Sequence, residues 1–337
     1  TAYTYLVNDH WSPDASYSFL NLADETAAID WPIPLADVEI SAKDLAHPRL
    51  ADVVPIPPKK TLVVGANGQL GRALRAAYGE DESVEFAGRQ ELDLTGDLHA
   101  ARRWRDYGTI VNAAAYTAVD AAEDDRAGAW AGNVTAVAQL ARIAAENGIT
   151  LVHVSSDYVF DGTATTPYTE DEPVAPLGVY GQTKAAADAI VATVPRHYIV
   201  RTSWVIGEGK NFVGTMASLA ERGIAPSVVD DQIGRLTFTD DIAGGIRHLL
   251  TSAAPHGTYN LTGGGAPASW ADIAAEVYEL TGHDRTAVSG VSTEQYFANA
   301  TGPVAPRPRW SVLDLGKIEA TGYSPRDWRE SLRAYLR

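Results

Sequence analysis

Residues 61 to 71 read Thr-Leu-Val-Val-Gly-Ala-Asn-Gly-Gln-Leu-Gly. A short β-branched run ends at Gly65, two further glycines follow at intervals of three, and an alanine-rich stretch with helical character begins. The order is strand, turn, helix. Gly65 lets the chain turn sharply off the strand, Gly68 lets backbone approach a diphosphate, and Gly71 lets the helix lie close to the sheet. An anion would then meet free N–H groups and the positive end of the helix dipole. The spacing is G-x-x-G-x-x-G rather than the commoner G-x-G-x-x-G.

Working outward, strand and helix signals alternate. The pattern predicts strands at 61–65, 83–87, 109–113, 150–155, 197–202 and 257–261. It predicts helices near 69–78, 97–107, 126–147, 178–193, 211–222, 240–252, 269–281 and 325–336. Such alternation implies an α/β fold, a doubly wound parallel sheet of the Rossmann type with a smaller C-terminal lobe for substrate. The Gly- and Pro-rich stretches 161–178, 223–238 and 262–309 exceed plain connectors and are expected to build that lobe. Three prolines within residues 55–58 exclude helix and mark a joint. The expected organisation is a tail over 1–51, a linker over 52–60 and a catalytic unit over 61–337. Within that unit a nucleotide-binding core covers about 61–205 plus 239–262, and the substrate lobe about 206–238 and 263–310.

Composition narrows the function. The 337 residues carry a formal charge of −16, which argues against nucleic acid or an anionic membrane as a partner. With no cysteine, thiolate chemistry and Cys-based metal sites are excluded, and a reducing compartment is consistent. The eight histidines show no i, i+4 pair, so no metal site is expected. No apolar run reaches the roughly 20 residues that span a bilayer, and no signal peptide opens the chain. A soluble, cytoplasmic protein is expected. The chain begins at Thr1 without a methionine, as though cut from a longer one.

The chemistry resides in Ser155-Ser156-Asp157 and Tyr180-Gly-Gln-Thr-Lys184. Of fifteen tyrosines only Tyr180 has a lysine four residues later. Ser156 falls at the end of a strand, where open parallel sheets bind ligands, and Lys184 lies one helical turn beyond Tyr180 on the same face. Ketone reduction needs a proton donor at the oxygen while hydride reaches the carbon. A free phenol, with a pKa of about 10, holds its proton too tightly, and a neighbouring ammonium is expected to lower it. A serine hydroxyl would stabilise the developing alkoxide.

Taken together, several segments resemble the dTDP-4-dehydrorhamnose reductases of the extended short-chain dehydrogenase/reductases. They are Gly65 to Gly71, Asn112-Ala-Ala-Ala-Tyr-Thr-Ala-Val-Asp120 with Ala122-Glu123, Ser155 to Gly162, Tyr180 to Lys184, Arg201-Thr-Ser-Trp204, Asn211-Phe-Val and Asp231-Gln-x-Gly234. The resemblance implies that Tyr180 is the general acid, Lys184 its partner and a ribose ligand, and Ser156 the third catalytic member. It implies cofactor contacts from Gly65, Asn67, Gly68, Gln69, Leu70, Gly71, Ala113, Ala114 and Ala115, with Asp93 and Leu94 at the adenine. It further implies that Thr117, Val119, Ser156, Asp157, Tyr158 and Trp204 line a sugar pocket, and that Asn133 supports the site or is simply a satisfied helix-face residue.

Gly88-Arg89 puts a cation where NAD enzymes place a carboxylate, so NADPH is the expected cofactor, with NADH as the alternative; Glu91 and Asp93 lie within two residues of a shifted strand end. Leu236 stands where the family usually has proline. The expected reaction is reduction of the C4 ketone of dTDP-4-dehydro-β-L-rhamnose in nucleotide-sugar synthesis. The rivals are an epimerase or 4,6-dehydratase of the same fold and a non-catalytic nucleotide-binding subunit similar to that of methionine adenosyltransferase. A dehydratase would usually carry Asp-Glu where Asp157-Tyr158 stands.

The first 50 residues lack βα alternation. Tyr5-Leu6, Trp11-Ser12-Pro13, Ile29-Asp30-Trp31-Pro32 and Ser41 to Leu50 resemble the C-terminal end of the cupin-type dTDP-4-dehydrorhamnose 3,5-epimerases. That family carries a catalytic tyrosine where Trp11 stands, so no epimerase activity is expected, and the segment is expected to act as a docking tail that packs its apolar side chains on the neighbouring domain. The resemblance implies a parent in which an epimerase domain lies upstream of the reductase; the oligomeric state is left open.

Overall fold

The computed structural model describes residues 17–337, and two compact units separate between Pro58 and Lys59. Tyr3, Tyr5, Leu6, Trp11, Ser12 and Pro13, which carry the front of the epimerase-like resemblance, lie outside the described residues.

The first unit holds its turns together with side chains. Asn21 Nδ2 donates to the carbonyls of Leu45 and His47, and Asp24 accepts the amides of Leu50, Thr26 and Ala27. Ser41 caps the short helix Ala42–Leu45. Tyr17, Phe19, Ile29 and Trp31 stay exposed, so within this segment the apolar residues find little to bury against.

The second unit is built on six parallel strands: β1 (Lys60–Val64), β2 (Val84–Ala87), β3 (Tyr107–Asn112), β4 (Thr150–Ser156), β5 (His197–Thr202) and β6 (Gly257–Asn260). They lie in the order β6-β5-β4-β3-β1-β2. The helices that position the site are α1 (Gln69–Tyr78), α2 (Arg126–Trp130), α3 (Ala136–Asn147), α4 (Val179–Val191), α5 (Phe212–Glu221), α6 (Thr239–Thr251), α7 (Trp270–Leu280) and α8 (Trp328–Tyr335).

Both faces of the sheet are apolar because both are covered. Leu62, Val64, Ile110, Leu151 and Ile199 pack with Val137, Leu140 and Ile143 of α3 and with Ala187 and Val191 of α4. The alternate residues Val63, Val111, Val152 and Val200 pack with Leu70 and Leu74 of α1 and Ile242 and Ile246 of α6. The chain leaves β1 for β2 on one side and returns to β3 on the other, so a crevice opens at the C-terminal ends of β1 and β3. A separate core of Val213, Met216, Phe238, Ile273, Val277, Trp328 and Leu332 forms the C-terminal lobe. Leu236 fills part of that core with its side chain fully buried, so packing holds this position.

Two predicted elements need correction. Residues 97–107 are not a helix: turns lead to a single 3₁₀ turn at Trp104–Asp106. Leu98 and Trp104 are buried as the apolar spacing suggests, but the Leu98 carbonyl closes a tight turn with the Ala101 amide and also accepts the Trp104 indole N–H instead of continuing a helical ladder. The stretch 126–147 is helical throughout but not uniform, because Ala131–Thr135 is a π-turn between α2 and α3. Such turns are frequent at functional sites. Here the extra residue carries Asn133 into the interior.

Candidate active site

The glycine turn takes the form its spacing predicts. Gly65 adopts φ +78°, and a Cβ there would meet the Ala114 amide at 2.6 Å. At Gly71 a Cβ would stand 2.3 Å from the Gly65 carbonyl. At Gly68 a Cβ would find only that carbonyl, at 3.3 Å, so its outer face is open. Gly68 is also the N-cap of α1, and no side chain caps it. Unclaimed N–H groups beside an open backbone surface fit a diphosphate. Asn67 and Gly68 are exposed, and Gln69 is half-buried with its amide turned to the Lys210 carbonyl. Leu70 is buried in the core, which leaves only its backbone for a ligand. Ala113, Ala114 and Ala115 follow β3 directly and lie against Gly65 across the crevice.

Beyond β2, Arg89 is exposed, and among the described residues its ion-pair partner is Asp93, at 4.0 Å. The two acids that might have competed with it are engaged: Glu91 accepts the Gly88 amide at 2.9 Å, and Asp93 accepts the amide and hydroxyl of Thr95. Leu94 is half-buried against the sheet core.

The catalytic candidates meet across β4 and α4. Glu123 accepts the Val179 amide at 2.8 Å, so a carboxylate 56 residues away caps the helix that carries Tyr180. Asn133 receives the Tyr116 amide at 2.7 Å, donates to the Tyr116 carbonyl, and donates to Thr183 at 3.0 Å. Its amide is thus spent on tying the loop after β3 to α4. The Tyr180 ring lies edge-on to Tyr158 with centroids 5.5 Å apart. Along α4, Tyr180, Lys184 and Asp188 recur every four residues; Lys184 reaches Val154 on β4 and Asp188 reaches Arg201 on β5.

The electrostatics correct one expectation. Burial, followed by the Asp157 carboxylate, pushes Tyr180 up to about 12, and the Ser156 hydroxyl pulls it back. Lys184 is itself pushed down to about 8 by burial, against the pull of Asp188. Its Nζ donates to the Val154 carbonyl at 2.7 Å and lies 3.2 Å from His153 Nε2. The expected ammonium-assisted drop in the phenol is absent from this arrangement because the lysine is drawn to β4. Ser156 gives its hydrogen to Asp157 at 2.9 Å and accepts the Tyr158 amide at 3.2 Å.

Burial raises Asp157 to about 6. A carboxyl that binds its proton more tightly folded than unfolded contributes stability that is complete below the unfolded value of 3.8 and lost as pH climbs through about 6. Between about pH 4 and pH 7.5 the wild type should therefore lose about 2 kcal/mol relative to Asp157→Asn, since part of the full span of about 3 kcal/mol lies below pH 4. Urea unfolding of both proteins at the two pH values checks this; parallel curves would contradict it.

Thr117 is exposed and Val119 half-buried on the loop leading to Asp120. Trp204 adopts φ +46° and stacks on Trp270 at 3.8 Å within the lobe cluster. The sequence reading missed Arg307, which forks onto Asp120 at 2.8 and 2.9 Å and so joins the lobe to that loop. It also missed His153 and Asp188, and it named Glu123 and Arg201 within motifs without giving either a role. None stands in a local spacing that signals chemistry; each acquires a role from a partner distant in sequence. Among the described residues no three His, Asp or Glu side chains group to hold a metal, and no helix is long and apolar enough to cross a membrane.

A family model described as the RmlD substrate binding domain matches residues 59–337. A protein of Streptomyces antibioticus named probable dTDP-4,6-dihydroxy-2-methyloxan-3-one 4-ketoreductase is 40% identical, over 81% of this chain and 92% of its own length. The crystal structure of a dTDP-4-dehydrorhamnose reductase from Clostridium acetobutylicum is 36% identical, covering 82% of this chain and 98% of its own, with a TM-score of 0.74. That of a dTDP-4-dehydrorhamnose reductase from Bacillus anthracis in complex with NADP is 29% identical, covering 83% and 99%, also with a TM-score of 0.74.

Proposed function

The chain belongs to the RmlD substrate binding domain family, and from that premise we propose that Tyr180, Lys184 and Ser156 reduce the C4 ketone of dTDP-4-dehydro-β-L-rhamnose to dTDP-β-L-rhamnose. The protein is an NAD(P)H-dependent reductase of dTDP-rhamnose synthesis. The observation that supports the residue assignment is that Ser156, the last residue of β4, acts on Tyr180 through its hydroxyl, while Lys184, one turn further along α4, donates to the Val154 carbonyl of the same strand.

NADPH, when bound, supplies the hydride. Tyr180 releases its phenolic proton to the ketone oxygen, and Ser156, turning from Asp157, donates a hydrogen bond to the same oxygen as charge develops. Asn67, Gly68, Gln69 and Gly71 would hold the diphosphate through backbone, Ala113 to Ala115 would give the ring room, and Lys184 would bind the ribose. Asp93 and Leu94 would meet the adenine, and Thr117, Val119, Asp157, Tyr158 and Trp204 would face the sugar. Arg89 is read as the 2′-phosphate ligand, because Glu91 and Asp93 are held by their own loop. Arg89→Ala should raise the KM for NADPH roughly 10- to 100-fold, the worth of a charged hydrogen bond, and leave that for NADH unchanged. Equal losses with both cofactors would remove Arg89 from this role.

The Streptomyces antibioticus relative is named for a ketone that also sits beside a ring methyl but lacks the hydroxyl next to the anomeric carbon. Reduction at that ketone is common to both names. Purified protein supplied with dTDP-4-dehydro-β-L-rhamnose and NADPH should consume the cofactor mole for mole with sugar. Recycling without net consumption would point to an epimerase or dehydratase, and binding without turnover to a regulatory subunit.

We read residues 1–51 as the end of an epimerase-like domain, supported by the sequence motifs Ile29-Asp30-Trp31-Pro32 and Ser41 to Leu50. The cysteine-free, acidic composition supports a cytoplasmic setting.

A further inference from the structure

Beneath Lys184 lies a buried chain of hydrogen bonds whose donors and acceptors can be assigned one by one. The Ala114 N–H points at Asn112 Oδ1 at 3.1 Å, which identifies that atom as the amide oxygen. The atom 3.1 Å from His153 Nδ1 is then the Asn112 amide nitrogen, a donor. His153 Nδ1 must receive with its lone pair. The ring is buried to 1% exposure, and burial pushes its proton affinity well below that of a free imidazole. A neutral imidazole has one N–H, so the proton is on Nε2. That N–H faces Lys184 Nζ at 3.2 Å. An ammonium offers three donors and no acceptor, whereas an amine offers a lone pair. Nζ satisfies both neighbours as an amine, accepting from His153 Nε2 and donating to the Val154 carbonyl.

We propose that His153 is a positioning residue that presents its Nε2–H to Lys184 and so holds the lysine nitrogen as a proton acceptor, poised to take up the proton that ketone reduction draws from solution. The inference rests on the reductase reading given above. Hydride goes to the carbonyl carbon, the Tyr180 proton goes to the oxygen, and the phenolate left behind is negative. That charge raises the proton affinity of Lys184, which then binds a proton from solvent and restores the phenol. The charged and titratable groups that act on it are Asp188 on α4 and His153 on β4, with Arg201 on β5 paired to Asp188; Tyr180 stands one turn earlier on α4, where Asp157 and Ser156 act on it. Asp188 favours the ammonium; burial and the His153 N–H favour the amine. The lysine is thereby kept near balance.

Two measurements test this. The first needs no substrate: in ¹⁵N-histidine spectra of the wild type, with the His153 signal assigned by its loss in His153→Gln, Nδ1 should be bare and Nε2 protonated. A proton on Nδ1 overturns the proposal. The second uses Asn112→Asp, whose carboxylate accepts both the Ala114 amide and an Nδ1–H. It should switch the tautomer, turn the Nε2 lone pair towards Lys184, and move the alkaline limb of the kcat profile up by about one pH unit, the scale of one hydrogen bond to a charged group. A switched tautomer with an unmoved limb also overturns it. Should the variant not fold, the wild-type spectrum decides alone. Failure of the reductase reading is distinguishable, since no variant would then consume NADPH while the spectra remain interpretable.

Discussion

Tyr180→Phe should lower kcat for NADPH-dependent ketone reduction by on the order of a thousandfold, within the range that a positioned general acid supplies. The change deletes one oxygen. The ring keeps its edge-on packing against Tyr158, and α4 keeps its cap from Glu123, so folding and cofactor affinity should hold. Stopped-flow single turnovers separate the chemical step from binding, and the cofactor Kd should match the wild type. The loss arises because the groups beside Tyr180 at the end of β4 are already paired with one another. Ser156 already shares its hydrogen with Asp157. An unimpaired single-turnover rate in the phenylalanine variant would remove Tyr180 from the mechanism.

The second large effect is on stability. Arg201 on β5 donates to Asp188 at 3.1 Å and to the Glu170 carbonyl at 3.0 Å, and both charged side chains are at most 7% exposed. Removing one partner of such a pair leaves a charge in the interior, which typically costs 3–5 kcal/mol, roughly a third of a domain's stability. Arg201→Leu should therefore lower the urea midpoint sharply and raise Asp188 still further than burial already does. The double variant Arg201→Met with Asp188→Leu should recover most of the loss, because an apolar pair of similar volume needs no counter-charge. A single variant within about 1 kcal/mol of the wild type, or a double variant as unstable as the two singles summed, would contradict this. Since Asp188 is also the group that favours the Lys184 ammonium, activity in Arg201→Leu should respond at alkaline pH before stability is exhausted.

Much of the fold is legible because its signals are local. Strand β5 and helix α1 fall where alternation and capping predict them, and the other sheet strands shift by at most two residues at an end. Each needs only its own side chains to alternate or to recur every 3.6 residues. The failure at residues 97–107 has the opposite origin. Leu98, Ala101 and Trp104 recur at helical intervals, yet the indole of Trp104 claims a backbone carbonyl, a choice that depends on the pocket between β2 and α3 rather than on neighbours in sequence.

By itself, then, the order of residues determined the sheet, the glycine turn with its open Gly68, and the pairing of Tyr180 with Lys184 on one helical face. Those features depend on φ, ψ and spacing, which act within a few residues. Only the tertiary structure decided that Lys184 turns to His153 and Val154, that Glu123 caps α4, that Asn133 enters through a π-turn, and that Arg307 reaches Asp120. In each case the physical reason is desolvation: a buried polar group must find a partner, and which partner is in reach is known only once the chain has closed on itself.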